Sequence, residues 1–226
     1  LMWTPNTQNS IWLSISRAVR IPSRGENDIT YNAGQIQSVP GIPTLPIPIS
    51  IIMNGANNFG SEKLLAYELG FRHQFSSRAS IDISGFVNDY SHLRDLSFGA
   101  LSFSTGLPRE LILPLLVNNR ATALTYGVEV STDWKPTNRW RLQGNYSFLD
   151  INITSNELLK TFDPTTGGAA QTNPQHQASL RSNYDISDRL QLNLWLRYTS
   201  AIGFYNIPGY VTMDTKLAFK PVKDVE

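Results

Sequence analysis

The chain has no cysteine, which removes disulfide frameworks, thiol catalysis and thiolate metal sites. Charge is scarce too: only 16% of the 226 residues are Asp, Glu, Lys or Arg, against roughly 25% in soluble domains. A net charge of +1 gives no electrostatic ground for nucleic-acid binding. No run approaches the ~18 consecutive apolar residues that a membrane helix needs, so a helical membrane protein is excluded. The three histidines, His73, His92 and His176, have no metal-ligand spacing, so neither a metal site nor a cofactor is expected. There is no Gly-x-Ser-x-Gly elbow and no Gly-Lys-Ser/Thr phosphate loop, and the chain is not expected to be an enzyme. No signal peptide opens the sequence. Leu1-Met2-Trp3 reads instead as the tail of a preceding strand, so a single incomplete domain over residues 1–226 is expected.

What is present is alternation. Between Leu65 and Phe75 one face carries Leu65, Tyr67, Leu69, Phe71, His73 and Phe75, while Ala66, Glu68, Gly70, Arg72 and Gln74 occupy the other. A period of two means an extended strand with one apolar and one polar face. The pattern recurs at Ser10–Arg20, Ala79–Asn88, Thr122–Trp134, Trp140–Phe148, His176–Tyr184, Leu190–Thr199 and Tyr210–Phe219. These give about eight strands of roughly 9 to 13 residues, lengths suited to tilted membrane strands.

The connections alternate between short and long. Short turns fall at Pro5–Asn9, Ser76–Arg78, Lys135–Arg139 and Asp185–Asp188. Longer loops run over about Ile21–Glu62, His92–Asn118, Thr154–Pro174 and Ser200–Gly209. This parity is the signature of an antiparallel transmembrane β-barrel, all-β, with its long loops on one side of the membrane. Trp134 and Trp140 flank a short turn as an interfacial girdle does. Five prolines in the first long loop argue against a central strand or a helix there, and so long an irregular stretch argues for function. In the second, Glu110–Val117 is almost continuously apolar and fits a short helix, a strand extension or a ligand-contacting patch.

Binding candidates follow from chemistry. Aromatic and amide side chains suit a bulky polar ligand, which selects Tyr31, Asn54, Asn57, Asn58, Phe59, Phe98 and Phe103 in the loops, with His92 opening the second. Glu68 and Arg72 lie on the polar face of one strand, aimed at the lumen, where they fit either a plug or ligand contact or a wall charge network. Arg17 and Arg20, at a strand end, are also assigned to the lumen or plug.

Several ordered segments resemble the barrel of TonB-dependent outer-membrane receptors. Ser16-Arg17-Ala18-Val19-Arg20-Ile21-Pro22 is similar to the family's Ser-Arg-Ala-x-Arg-x-Pro strand end. Glu62 to Gly70 resembles its Glu-x-Leu-x-x-Tyr-Glu-x-Gly strand, and Asn119 to Glu129 with Trp134-Lys135-Pro136 a later strand and turn. Pro208 to Asp214 looks like a late strand of the same barrels. The resemblance implies an outer-membrane location in a Gram-negative bacterium and import of a bulky nutrient, most often a ferric siderophore, with energy from the TonB system. It also implies partners: outer-membrane lipid, a plug domain and, through the plug, the TonB complex. The family barrel has about 22 strands, so about eight make a C-terminal portion that stops a strand or so short. A passive porin-like or adhesion barrel and a soluble all-β binding protein are the alternatives.

Overall fold

In the computed structural model, residues 1–36, 49–105, 110–162 and 168–221 are described. Twelve strands among them form one sheet. Nine strands make the continuous wall: β1 (Met2–Asn6), β2 (Asn9–Arg20), β5 (Glu62–Ser76), β6 (Ala79–Phe98), β8 (Leu111–Thr137), β9 (Trp140–Thr154), β10 (His176–Ser187), β11 (Leu190–Thr199) and β12 (Tyr210–Phe219). Each is antiparallel to its neighbour, and β1 and β12 are the two ends of the path, so the wall is an open part of a barrel. β1 places Met2 and Trp3 in a strand; its Pro5 is tolerated because β1 lies at an edge of the sheet.

Tight turns join β1 to β2, β5 to β6, β8 to β9 and β10 to β11, all at one rim. The pairing register carries each strand's parity across the sheet. Leu13, Leu69, Gly85, Val128 and Phe148 fall in one row on one face. Large apolar side chains are exposed along that face, among them Ile15, Leu69, Val128, Leu196 and Met213. In water such a surface would be an aggregation liability; on a barrel it is the lipid-facing band. Serine, asparagine, glutamine and charged residues line the opposite, lumenal face.

The long loops depart from expectation. Residues 21–61 hold a one-turn helix α1 (Arg24–Asn27) and a hairpin of β3 (Thr30–Ile36) with β4 (Ile49–Asn54). This corrects the expectation, drawn from the prolines, that neither a strand nor a helix forms there. Of these, Pro40, Pro43, Pro46 and Pro48 lie outside the described residues, and Pro22 precedes α1. β6 and β8 also extend far into the second loop, and the two-residue β7 (Ser102–Phe103) pairs with β8. Residues 111–117 are therefore strand. Pro114 is accommodated because the β6 pairing ends at Leu115 and the β7 pairing begins at Ile112, so its missing N–H falls between the two ladders. β8 is 27 residues long, about 85 Å at ~3.3 Å per residue. Its lower part pairs with β9, and its upper part pairs in parallel with β4.

The third long loop carries α2 (Glu157–Phe162) and α3 (Ala169–Thr172). Together these loop elements build a cap above the wall. Both buried apolar clusters lie in it: Ile51, Phe59, Leu96, Leu115, Val117 and Leu159 form one, and Ile49, Leu111 and Leu113 the other. The reason is solvent. Wall side chains turn their apolar faces to lipid, whereas cap side chains stand in water and must bury theirs against one another.

Candidate functional site

The cap is clamped to the wall by Arg20, the last residue of β2. Its Nε donates to Glu62 Oε2 at 2.6 Å, and its terminal nitrogens donate to Glu26 at 2.5 and 3.2 Å. Glu26 sits in α1 with only 5% of its surface exposed. It also accepts from the Ser23 backbone N–H at 2.7 Å and the Ser23 hydroxyl at 3.0 Å. Burial alone would push the Glu26 carboxyl up, but the hydrogen bonds from Arg20 and Ser23 hold it below the usual carboxylate range. Glu62 in turn accepts from the Arg94 backbone N–H at 3.0 Å. Arg20 is thus committed to two carboxylates and acts as a structural clamp. The sequence signal for this arrangement is the Ser-x-x-Glu spacing of a capping box at Ser23 and Glu26.

A cavity of about 250 Å³ opens in the cap, lined among others by Glu26, Tyr31, Met53, Arg94 and Phe162. Of the ligand candidates, Tyr31 lines it. Asn57, Asn58 and His92 are exposed outside that lining, as is Phe103 on β7. Two candidates are corrected. Phe59 is 6% exposed and belongs to the cap core. Phe98 is half-buried against both clusters, with its ring edge-on to Phe162 at 6.4 Å, so both aromatic rings serve packing. Asn54 accepts from the Thr30 hydroxyl across the β3–β4 hairpin at 3.3 Å. His92 has a positive φ of 59° where β6 shifts register against β8. Its carbonyl accepts from the Asn119 amide, which also grips Gly60 through both backbone groups.

The lumenal wall is a second polar surface. The Trp12 indole covers Gly70, its register partner, and donates to Glu68 Oε1 at 2.9 Å. A Cβ at position 70 would stand 1.9 Å from that ring, which explains the glycine. Arg72 pairs with Asp82 at 2.5 Å, Arg141 with Asp133, and Arg197 with Asp214 at 2.5 Å. Glu68 and Arg72 therefore belong to a wall network. Trp195, not singled out by sequence, lies between two guanidinium groups, those of Arg181 at 4.5 Å and Arg197 at 4.2 Å. Among the described residues Arg181 has no ion pair. Concave stretches of about 480 and 300 Å³ run between these groups over Ser131, Asn145, Ser147 and Ser179. Arg17 is corrected outright. It pairs with Leu65 in register and shares the apolar outer face with Ile15 and Val19, so it does not point into the lumen.

An antiparallel wall, apolar outside, polar inside, with short turns at one rim and a folded cap at the other, is the architecture of part of an outer-membrane β-barrel. The chain matches the family described as TonB dependent receptor-like, beta-barrel, across residues 1–226, and it belongs to that family. This is a transport family of the Gram-negative outer membrane and not a family of enzymes. Among solved structures, the siderophore receptor PirA from Acinetobacter baumannii superposes with a TM-score of 0.70 at 17% identity, covering 98% of this chain and 34% of that receptor. A ferric enterobactin receptor (PfeA) mutant from Pseudomonas aeruginosa superposes with a TM-score of 0.70 at 13% identity, covering 98% and 32%. The ferric-catecholate import receptor Fiu from E. coli gives 0.64 at 16% identity, covering 98% and 28%. The chain thus spans about a third of the length of these receptors. No curated protein matches it in sequence.

Proposed function

We propose that the chain forms part of the wall and extracellular cap of a receptor that imports a ferric siderophore across the outer membrane, energised by the TonB system. Membership of the receptor family over all 226 residues carries this reading. The solved receptors of similar fold, named as siderophore and ferric-catecholate import receptors, support the substrate class. In this reading the cap meets the ligand first, through Tyr31 and the exposed Asn57, His92 and Phe103. The lumen wall, with the Arg181 guanidinium stacked on Trp195, faces the plug domain, through which the TonB complex acts.

The test is uptake of radiolabelled ferric enterobactin and of a ferric hydroxamate by the native host, its gene deletion and the complemented strain. Loss of uptake of one chelate on deletion, its return on complementation and its abolition by a protonophore are expected. Unchanged uptake of both would refute the siderophore assignment. Deletion-sensitive uptake that survives the protonophore would identify a passive pore instead.

A further inference from the structure

Two cations stand on the wrong face of this wall for a lumen role. Arg17 shares the outer face with Ile15 and Val19, and Lys63 lies opposite Val19 on the same face of β5. They are diagonal neighbours, because Arg17 pairs with Leu65, two residues from Lys63. Both are exposed, and neither side chain has a hydrogen bond or ion pair among the described residues.

Their height is informative. Phe75 marks the tight-turn end of the outer face of β5, and Leu65 lies ten residues up the strand. At ~3.3 Å per residue and a tilt of ~40°, Leu65 and its partner Arg17 stand roughly 25 Å above Phe75, with Lys63 one step higher. The lipid-facing apolar band of such barrels is ~25 Å tall. Tyr67 and Tyr126, exposed just below, supply the aromatic level expected at that boundary. Arg17 and Lys63 therefore emerge from the band at the long-loop rim, which is the extracellular side.

We propose that Arg17 and Lys63 form a docking site for the phosphate groups of outer-leaflet lipid. A guanidinium and an ammonium on neighbouring strands can both donate to one phosphate, and the apolar residues beneath them seat acyl chains. On the outer face at this rim the acids lie on other strands: Asp89, across Leu65 on β6, and Asp150, farther round on β9. Glu62, next to Lys63 in β5, is on the lumenal face, paired with Arg20. No ion pair joins Asp89 to either cation. The site depends on the orientation of the barrel and not on which nutrient it carries.

The test uses the full receptor, purified from its outer membrane and stripped of lipid, titrated in non-ionic detergent with phosphorylated lipid A, dephosphorylated lipid A and inorganic phosphate. Each cation near an anionic lipid surface contributes about fivefold in affinity, so Arg17→Gln with Lys63→Gln should weaken binding of phosphorylated lipid A roughly 30-fold. Binding of the dephosphorylated form should not change. The charge-preserving pair Arg17→Lys with Lys63→Arg should keep most of the affinity, and unchanged heat-modifiability on gels confirms folding. Equal lipid affinity of the wild type and the neutralised pair overturns the proposal. So does inorganic phosphate competing at the affinity of lipid A, which would assign the site to a free anion.

Discussion

Arg20→Ala should loosen the extracellular cap while leaving the wall intact. The substitution strands Glu26, which is almost wholly buried, and removing one partner of such a pair costs ~3–5 kcal/mol. Ser23 still donates twice to the carboxylate and Arg20 itself is half exposed, so the lower end applies, about 3 kcal/mol. That corresponds to a roughly 150-fold increase in local opening. The reporters are the amides that tie α1 to the β3–β4 hairpin: Ala56 N–H donates to the Glu26 carbonyl at 2.8 Å, and Gly55 N–H to the Ile29 carbonyl at 2.7 Å. Hydrogen exchange of the full receptor should show both amides exchanging about two decades faster, with β10 and β11 unaffected. Exchange at these two amides within threefold of the wild type would refute the clamp. Glu26→Gln removes the charge without stranding one, so its effect should be near ~1 kcal/mol. The same residue sets a pH dependence. Because the folded carboxyl lies below its unfolded value, its contribution is complete above the unfolded pKa and is lost as pH falls through the folded one. Acid should therefore loosen the wild-type cap more than the Glu26→Gln cap.

Other substitutions separate the surfaces. Leu69→Arg, in the middle of the lipid-facing band, should destabilise the barrel in bilayers by ~2–4 kcal/mol by denaturant titration, whereas Ser84→Arg, on the lumenal face, should cost far less. Gly70→Ala should drive the Trp12 indole off the wall and lower the temperature at which the barrel unfolds on heated gels, and a second change, Trp12→Ala, should restore it. Leu115→Ala, at a fully buried position in the cap core, should cost ~2–5 kcal/mol and appear as faster exchange across 50–54 and 111–117.

The wall was legible because its evidence is local. Alternation within β5 or β11 declares both faces without knowledge of any partner, and the turn lengths orient the rims. Even the outward position of Arg17 was implicit, since it falls in step with Ile15 and Val19. The cap was not legible for the opposite reason. Leu111, Leu113, Leu115 and Val117 are buried, but the alternating Ile112, Pro114 and Leu116 are apolar too, so no polar alternation selects the strand extension over a helix or a ligand-contacting patch. β4 owes its place to a pairing with residues some sixty positions away, and nothing in residues 49–54 announces that partner. Phe59 sits among Asn57, Asn58 and Gly60, a context that reads as exposed loop; only the tertiary position of Leu96 and Leu115 brings it inside.

The parallel contact between β4 and the upper part of β8 constrains how recognition can diversify. In a barrel whose loops fold independently, a new specificity can arrive by exchanging one loop as a cassette. Here residues 49–54 complete a sheet whose other half is contributed by residues 111–116, so either segment transplanted alone would present an unpaired edge and half a core. Chimaeras should exchange the two loops together or not at all. Natural variation at this mouth should accordingly be paired, the first and second long loops changing as one inherited unit.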